Sequence, residues 1–446
     1  PTAAQWVMGA VICAFAFTYS ITSSPLLHIL CTLFLIGAMF WWVQAVCIHA
    51  RFVTKYFFPD LVRTVFVQPF TDFGGAFRAL ADKGNRGSGK PSALKPILIG
   101  LIVTVPLTFI VAALLASADE GISRIMDRIW AEFRRQDIIT ILLQLFWAIP
   151  AALVFFGMLR ADAKQKLYPL PPDMYYHNKL AGMKKVNNLG VYAGVTPICL
   201  LYLLYVISQA NYFMSAFSGV VPGSMLYSEY ARRGFFELCF IAVINLGVIL
   251  FMLTFSKKSG SESTPALKAY TCIICGFTLF IIATALAKML LYIEKYGLTR
   301  LRLYTSWFMV LLAAVFITLA VRAFAKKLPT AKIITGVFIV MFGLLCFSKP
   351  DALITEYNIH QYLEGEHEML DTKMLSSLSD DAYVVALRYA KSGMFEHSDR
   401  PDAERYRDDI ITFCKNEVKS YQNEPTLTYN FPAQELNSLY KEYYGE

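Results

Sequence analysis

Charged side chains are scarce in this chain of 446 residues, of which 17% are charged and 56% hydrophobic. Soluble globular proteins carry about 25% charged residues. The deficit argues against a soluble enzyme, and the hydrophobic content excludes a disordered chain. Paired cysteines are lacking too, because eight of the nine cysteines lie in apolar stretches and Cys414 stands apart near the C-terminus. The sequence therefore lies outside the disulfide-rich secreted class.

Nucleotide-binding and hydrolase signatures are missing or incomplete. The sequence contains neither HExxH nor GxSxG. The segment 84–90, GNRGSGK, fits the start of a phosphate-binding loop, but Pro91 occupies the position at which Ser or Thr must hold magnesium. A flexible linker is the favoured interpretation of this segment. Basic residues form no helix or groove interleaved with aromatics, so we expect no nucleic-acid partner.

The histidines do not form a convincing metal site. Four residues near the C-terminus recur at helical spacing and have the chemistry to bind a divalent ion. They are His360, Glu364, His367 and Glu368. Gly365 lies in their middle and weakens a helix at that point. A solvated polar face is the favoured interpretation, and we expect neither a metal nor a cofactor.

Long apolar runs dominate what the sequence does contain. A transmembrane helix needs roughly 20 apolar residues to cross roughly 30 Å of hydrocarbon. Nine runs are candidates, of which the first and the last are short: they lie near 3–21, 26–50, 96–118, 138–159, 189–217, 235–255, 269–293, 305–325 and 333–348. The sequence therefore predicts an all-α fold, a polytopic transmembrane helical bundle of about nine spans.

The formal net charge of +8 combines two regions of opposite sign. Residues 1–348 hold 31 Lys and Arg against 14 Asp and Glu, whereas residues 349–446 hold 10 against 19. We expect two domains with these boundaries, the transmembrane bundle and a small, acidic, soluble helical domain. Apolar periodicity predicts helices over 371–390 and 400–418 of the second. The N-cap signal at 379–381, Ser-Asp-Asp, predicts a break in the first of these helices.

Basic residues alternate between rich and poor connections. The connections at 51–95, 160–188, 256–268 and 322–332 hold 21 Lys and Arg, and those at 119–137, 218–234 and 295–304 hold 9. Lys and Arg gather on the cytoplasmic side of membrane proteins, so the first set is predicted to be cytoplasmic. We therefore expect a multi-pass plasma-membrane protein with a cytoplasmic N-terminus of this chain and an extracytoplasmic C-terminal domain.

Two connections are amphipathic. Near 51–80, Phe and Val alternate with basic residues, which predicts a helix, broken at Pro69, on the inner membrane surface. Apolar residues at helical spacing near 119–137 predict a second interfacial helix at the outer surface. Packing on the bundle is an equally good use of either apolar face.

Polar and charged residues at the predicted ends of the later spans form the most informative group in the sequence. They are Arg232, Arg233, Glu237, Asn245, Lys288, Glu294, Arg300 and Arg302. Asn245 lies two helical turns deeper than Glu237 and on nearly the same face. Span lengths place the charged members at the outer interface, beneath the C-terminal domain.

This group has three interpretations. In a structural one, Lys288 snorkels to the surface and the carboxylates pair with the arginines to pin two loops. In a functional one, the arginines bind an anionic headgroup, polymer or substrate, since the guanidinium fork donates two parallel hydrogen bonds. In the third, the group docks the acidic C-terminal domain.

The same residues carry a family resemblance. The segments YARRGFFEL at 230–238, YIE at 292–294 and YGLTRLRLY at 296–304 resemble a family of bacterial polytopic membrane proteins known only as a domain of unknown function. The tail segments DALI at 351–354, YNI at 357–359 and LSDDA at 378–382 fit the pattern of that family. The resemblance implies a bacterial plasma membrane and supplies no activity.

The leading hypothesis is a non-enzymatic, transporter-like or sensing bundle that binds an anionic ligand or partner at its outer face. One alternative is a membrane enzyme acting on lipid-linked substrates, with Glu237 or Glu294 as general base. A carboxylate beside arginines is held ionised and is a weak base, which disfavours this alternative. Another is a scaffold for extracytoplasmic assembly. The expected partners are the lipid bilayer and an anionic lipid headgroup, a cell-envelope polymer or a protein; the sequence leaves the oligomeric state open.

Overall fold

The structure, a computed structural model, describes residues 2–47, 53, 55–72, 75, 104, 107, 108, 111, 138–164, 172–183, 187–208, 227–256, 265–325, 327–400, 402–421 and 430–444. These residues form helices and the turns between them, with no strand in these ranges. The helices are α1 (Ala3–Ala16), α2 (Thr18–Ile21), α3 (Pro25–Cys47), α4 (Phe57–Phe66), α5 (Gln68–Thr71), α6 (Ile138–Ala163), α7 (Pro172–Met183), α8 (Asn188–Ser208), α9 (Tyr227–Phe255), α10 (Pro265–Tyr296), α11 (Arg300–Phe324), α12 (Thr330–Phe347), α13 (Pro350–Leu363), α14 (Thr372–Leu375), α15 (Asp380–Lys391), α16 (Ala403–Tyr421) and α17 (Phe431–Tyr444).

Eight helical segments in the described part of the chain are long and apolar enough to cross a membrane. They are Ala3–Ile21, Pro25–Cys47, Leu142–Ala163, Asn188–Ser208, Leu238–Phe255, Pro265–Tyr296, Arg300–Phe324 and Thr330–Phe347. The predicted all-α, polytopic architecture is confirmed, and the protein is an integral membrane helical protein. The remaining predicted span, 96–118, which is the third in chain order, lies largely outside the described residues. The predicted interfacial helix at 119–137 also lies outside them.

Proline begins several of the helices. Pro25, Pro265 and Pro350 each begin a helix, where the missing N–H has no intrahelical partner to lose. Pro150 and Pro197 lie inside α6 and α8, as membrane helices tolerate. Proline in the sequence therefore locates the start of these helices more closely than hydropathy does.

The described chain divides into two compact units, and the first contains residues 39–52 and 58–171. In this unit α5 packs on α6, and Phe40 meets Phe155 edge to face with ring centroids 5.1 Å apart. A break was predicted at Pro69; in the structure α4 ends at Phe66 and α5 begins at Gln68, so the break lies at Val67 and Pro69 lies within α5.

Helix α4 exposes three large apolar side chains and buries two polar ones. Phe58, Val62 and Phe66 are exposed, whereas Asp60 and Thr64 are buried. A water-soluble protein shows the opposite arrangement. This distribution suits a helix whose outward side contacts acyl chains, and the interfacial placement of the segment stays a prediction.

The second unit contains residues 2–38, 53–57 and 172–446 and has three hydrophobic clusters. One joins α8, α9, α10 and α11 around Ile274, Ile282 and Phe316. Another joins α1, α3 and α12, where the Phe15 and Phe342 rings stack with centroids 5.4 Å apart. The third cluster belongs to the helices that follow Lys349.

The helices after Lys349 share their own apolar core, which is built by α13 and α15 to α17 together with neighbouring turns. Ile354, Leu387, Ile410 and Leu436 are fully buried in it. The helix predicted at 371–390 is divided into α14 and α15, with Ser379 at the N-cap position of α15. The N-cap signal in the sequence therefore located a real helix start.

Candidate functional site

Polar residues of the C-terminal helices meet the ends of the spans in one group, which we call the clasp. The span side supplies the turn between α2 and α3, the start of α11 and the second residue after α12, and the other side supplies the starts of α13 and α15. The clasp consists of Thr22, Ser23, Arg300, Lys349, Asp351, Ser379, Asp380 and Asp381.

Asp351 and Arg300 form the central ion pair of the clasp. Arg300 donates from Nε to Oδ1 at 2.9 Å and from Nη2 to Oδ2 at 2.5 Å, so the fork binds the carboxylate with two parallel bonds. The Ser379 N–H adds a third bond to Asp351 Oδ2 at 3.2 Å. Asp351 is fully buried. Bidentate charge-assisted bonds of this kind are among the stronger polar contacts in proteins, and here they fix α13 to the start of α11.

Asp381 forms the second contact. Its Oδ2 accepts from Thr22 Oγ1 at 2.5 Å and from the Ser23 N–H at 3.3 Å, and Lys349 Nζ lies 3.7 Å from Oδ1. Burial raises the pKa of the Asp381 carboxyl, and the nearby Asp351 adds to the rise; Thr22, Lys349 and the Ser23 N–H oppose it. Asp381 therefore ties α15 to the α2–α3 turn at an electrostatic cost.

Asp380 extends this contact in two directions. The Asp380 N–H donates to Ser23 Oγ at 2.9 Å, and the Tyr421 hydroxyl donates to Asp380 Oδ1. Burial and the neighbouring Asp380 raise the pKa of Tyr421 well above its usual range. Tyr421 ends α16, so the first turn of α15 binds both the α2–α3 turn and the last turn of α16.

Asn358 of α13 pins the turn between α10 and α11. Its Oδ1 accepts from the Leu298 N–H at 2.8 Å, and its Nδ2 donates to the Leu298 carbonyl at 2.7 Å. Gly297 ends α10 with φ +80°, a left-handed conformation that favours glycine. A Cβ at Gly297 would collide with Asn358 Oδ1, so glycine is required here by both conformation and space.

Arg302 and Glu294 also lie at this turn, but they make local contacts. Arg302 Nη1 donates to the carbonyls of Tyr296, at 2.8 Å, and Gly297, and its guanidinium carbon lies 3.9 Å from the centre of the Tyr292 ring. The guanidinium therefore caps the C-terminal end of α10. The exposed Glu294 contributes its backbone carbonyl, which accepts from His367 Nε2 at 2.8 Å.

Asn245, predicted deeper in its span, and Lys288, predicted at the outer end of its span, are both buried. Asn245 is fully buried in α9; it donates to Thr278 Oγ1 of α10 at 2.8 Å and accepts from the Tyr202 hydroxyl of α8. Lys288 is 5% exposed in α10. Hydrogen bonds between spans of this kind hold membrane helices together, so Asn245 joins three spans.

Arg232, Arg233 and Glu237 lie on α9 before its span begins at Leu238. The backbone at these positions is helical, and their side chains lie outside the described part of the structure. Their predicted place beside Arg300 is therefore still a prediction.

Sequence reasoning missed the clasp residues of the α2–α3 turn, which bind Asp380 and Asp381. Thr22 and Ser23 are small polar residues in a short turn, and no local pattern distinguishes them from linker residues. Asp351 and Asp381 lie in the tail segments that carried the family resemblance, which was the available signal. His360 and Glu364, considered above as metal ligands, lie 3.1 Å apart as an exposed pair, whereas His367 contacts Glu294.

The polar groups of the clasp bind one another and so attach the C-terminal helices to the ends of the spans. Arg300 is bound by Asp351 on one side and donates from Nη1 to the Ser377 carbonyl at 3.0 Å on the other. Three aspartates, two cations and several N–H and O–H donors surround it, and Asp381 Oδ1 has Lys349 as its ionic partner but accepts no hydrogen bond.

Comparison with known proteins gives one match. The model of a family described as a domain of unknown function, DUF4153, matches residues 9–389. No curated protein matches the chain, and no solved structure does.

Proposed function

The chain belongs to the DUF4153 family, and we propose that it works as a non-enzymatic membrane scaffold. In this proposal the transmembrane bundle holds the C-terminal helices at its extracytoplasmic face, where they recruit a partner protein of the cell envelope. The observation that carries the proposal is the bidentate ion pair between the partly exposed Arg300 and the fully buried Asp351.

The contacts of the two described arginines favour docking over ligand capture. Arg300 holds Asp351, and Arg302 holds the last carbonyls of α10. An anionic ligand would have to displace a carboxylate that is already bound by two parallel hydrogen bonds. A ligand that did so would leave Asp351 buried and unpaired, which costs several kcal/mol.

The scaffold proposal also requires the C-terminal helices to face away from the cytoplasm. The bias of Lys and Arg in the connections supports this orientation. A single cysteine in place of the exposed Glu404, in a variant without native cysteines, tests it. We expect a membrane-impermeant maleimide to label this cysteine in intact cells. Labelling only after the cells are opened would place the helices in the cytoplasm and end the proposal in this form.

Complementation of a strain that lacks the protein tests the function. We expect neither the deletion of 349–446 nor Arg300→Gln to complement the strain. The deletion removes the C-terminal helices, and the substitution releases them from the bundle. The double variant Arg232→Gln/Arg233→Gln should complement, and Glu404→Gln is the matched control for loss of a surface charge. Each protein must first be shown in the membrane at the level of the parent.

The alternative is a bundle that binds an anionic ligand through Arg232 and Arg233. It predicts that the double arginine variant fails while Arg300→Gln retains part of the function. That pattern would contradict the scaffold proposal and favour ligand binding.

A further inference from the structure

The first unit contains a second group of buried polar residues, on the inward side of α4 and α5. Asp60, Thr64, Gln68 and Asp72 follow one another at every fourth residue, and each is at most 3% exposed. Residues four apart lie on one face of a helix, and α5 continues the line of α4 in this respect. This polar line faces α3 and α6, since Thr64 donates to Gln44 and Gln68 donates to Asp162.

One aspartate in the group is neutralised by cations. Arg160 Nε lies 3.1 Å and Lys164 Nζ 3.7 Å from Asp72 Oδ2. Arg160 Nη1 also donates to the Gly75 carbonyl. The two basic residues at the end of α6 therefore both bind Asp72.

Asp162 lies on α6 close to Arg160 and Lys164, but its partners differ from those of Asp72. It is 1% exposed, and its Oδ1 accepts from Gln68 Nε2. Its Oδ2 and the Gln68 Oε1 are both buried and have no hydrogen-bond partner. Arg160 is two residues away, and residues at this spacing face different sides of a helix. The pair thus leaves two unpartnered oxygen acceptors in a buried site at the end of a span.

A buried carboxylate with a single amide donor is costly, and ionisable residues in spans generally mark proton or ion sites. We propose that Asp162 and Gln68 form a binding site for a monovalent cation, a proton or a sodium ion, which neutralises the carboxylate. Oxygen atoms are the ligands that hard cations prefer. The site is separate from the clasp, so failure of either proposal leaves the other intact.

Charged and titratable groups near Asp162 come from each helix that packs around it. Asp60 and Arg63 lie on α4, Asp72 follows α5, and Arg160 and Lys164 lie at the end of α6. The Cys47 thiol at the end of α3 interacts electrostatically with Asp162. A measurement of cation binding must therefore distinguish Asp162 from these neighbours.

Infrared difference spectroscopy of the full-length protein in lipid nanodiscs makes this distinction, because a protonated carboxyl has its own C=O band. We expect such a band to titrate with pH in the parent and to be lost in Asp162→Asn. Asp72→Asn removes an equally buried carboxylate that is ion-paired, and it should keep the band. In Gln68→Leu the ionised carboxyl loses its only donor, so the midpoint should move to higher pH; this variant keeps the test valid if Asp162→Asn does not fold.

Sodium provides the second arm of the experiment. If sodium, compared with a bulky organic cation, moves the titration to lower pH in the parent and leaves it unchanged in Asp162→Asn, the site binds sodium in competition with the proton. A titration that is insensitive to sodium assigns the site to the proton alone. If the parent has no carboxyl band that depends on Asp162, and no sodium effect, Asp162 stays ionised and the proposal is wrong.

Discussion

Asp351 and Asp162 are two buried aspartates that differ in their partners. Asp351 is bound by both arms of the Arg300 fork and by a backbone N–H. Asp162 has one amide donor and one unpartnered oxygen. Burial alone therefore does not indicate the role of an acidic side chain. The partners decide whether the ionised form is held permanently or is available to bind a cation.

The same difference in partners separates the two proposed roles, docking at the clasp and cation binding at Asp162. In the clasp, charge is used to fasten helices, since the Asp351 carboxylate is held by two hydrogen bonds from Arg300 and one from a backbone N–H. In the first unit, an incompletely partnered carboxyl leaves room for an ion. Four predictions test this contrast, from the largest expected effect to the smallest.

The largest expected effect comes from neutralising the two aspartates in turn. Asp351→Asn leaves Arg300 without its anion, and removing one partner of a buried pair costs about 3–5 kcal/mol. We expect a loss near the lower end, about 3 kcal/mol, because Arg300 is partly exposed. Asp162→Asn removes a charge that lacks a cation and should cost under about 1 kcal/mol. Pulse proteolysis in detergent micelles measures both; equal losses would erase the contrast.

Gly297 gives the next largest effect. Gly297→Ala forces a Cβ into Asn358 at a left-handed backbone position, and we expect a loss of about 2 kcal/mol in the stability of the C-terminal helices. Gly365→Ala is the matched control, since it has φ +89° but no atom closer to its Cβ than 3.7 Å. The control should lose about 1 kcal/mol from the backbone conformation alone. A larger loss at Gly365 would show that Asn358 does not pin the turn.

A smaller effect is the pH dependence of the clasp at Asp381. Its folded pKa is raised above the usual 3.8 by burial, so its stabilising contribution is complete below that value. The contribution is lost as the pH rises through the folded pKa, since the folded state then holds an unfavourable buried charge. We expect the C-terminal helices to resist protease better at mildly acidic than at neutral pH, apart from titration elsewhere.

The control for this dependence is Asp381→Asn, which imitates the protonated carboxyl. In Asp381→Asn, protease resistance should differ less between mildly acidic and neutral pH than it does in the parent. In Glu404→Gln, the difference should be as large as in the parent. An unchanged pH profile in Asp381→Asn would assign the dependence to other groups.

The smallest effect is expected at the surface of the C-terminal helices. Arg388 of α15 pairs with Glu435 of α17, but the Arg388 side chain is 58% exposed. Exposed pairs contribute about 0–1 kcal/mol. We expect Arg388→Gln to lower the melting temperature only marginally, and a loss comparable with that of Asp351→Asn would show that burial does not distinguish the two ion pairs.

The sequence was sufficient to predict the membrane spans and several helix starts. Apolar length alone fixes a span, and the Ser379 N-cap signal depends on neighbours in the chain. Arg300 was also predicted to lie at a span end where the acidic tail could dock. These features could be predicted because they depend on local composition.

The partners of the buried acids could not be predicted in the same way. Thr22 and Asp381 are 359 positions apart in sequence, and their contact depends on how distant helices pack. The polar line on α4 was masked by the aromatic residues between its members, which suggested only an interfacial helix. Asp162 was counted within a basic cytoplasmic connection because its burial depends on α5.

Hydrogen–deuterium exchange of the parent and Asp351→Asn in lipid nanodiscs tests the clasp most directly. We predict faster exchange of backbone amides at Ser379, Leu298 and the first turns of α13 and α15 in the variant. The amides of α10 around Ile274 and Ile282, which lie in the core of the spans, should be unchanged. Unchanged protection at Ser379 and Leu298 would mean that the Arg300–Asp351 pair does not hold the C-terminal helices on the bundle.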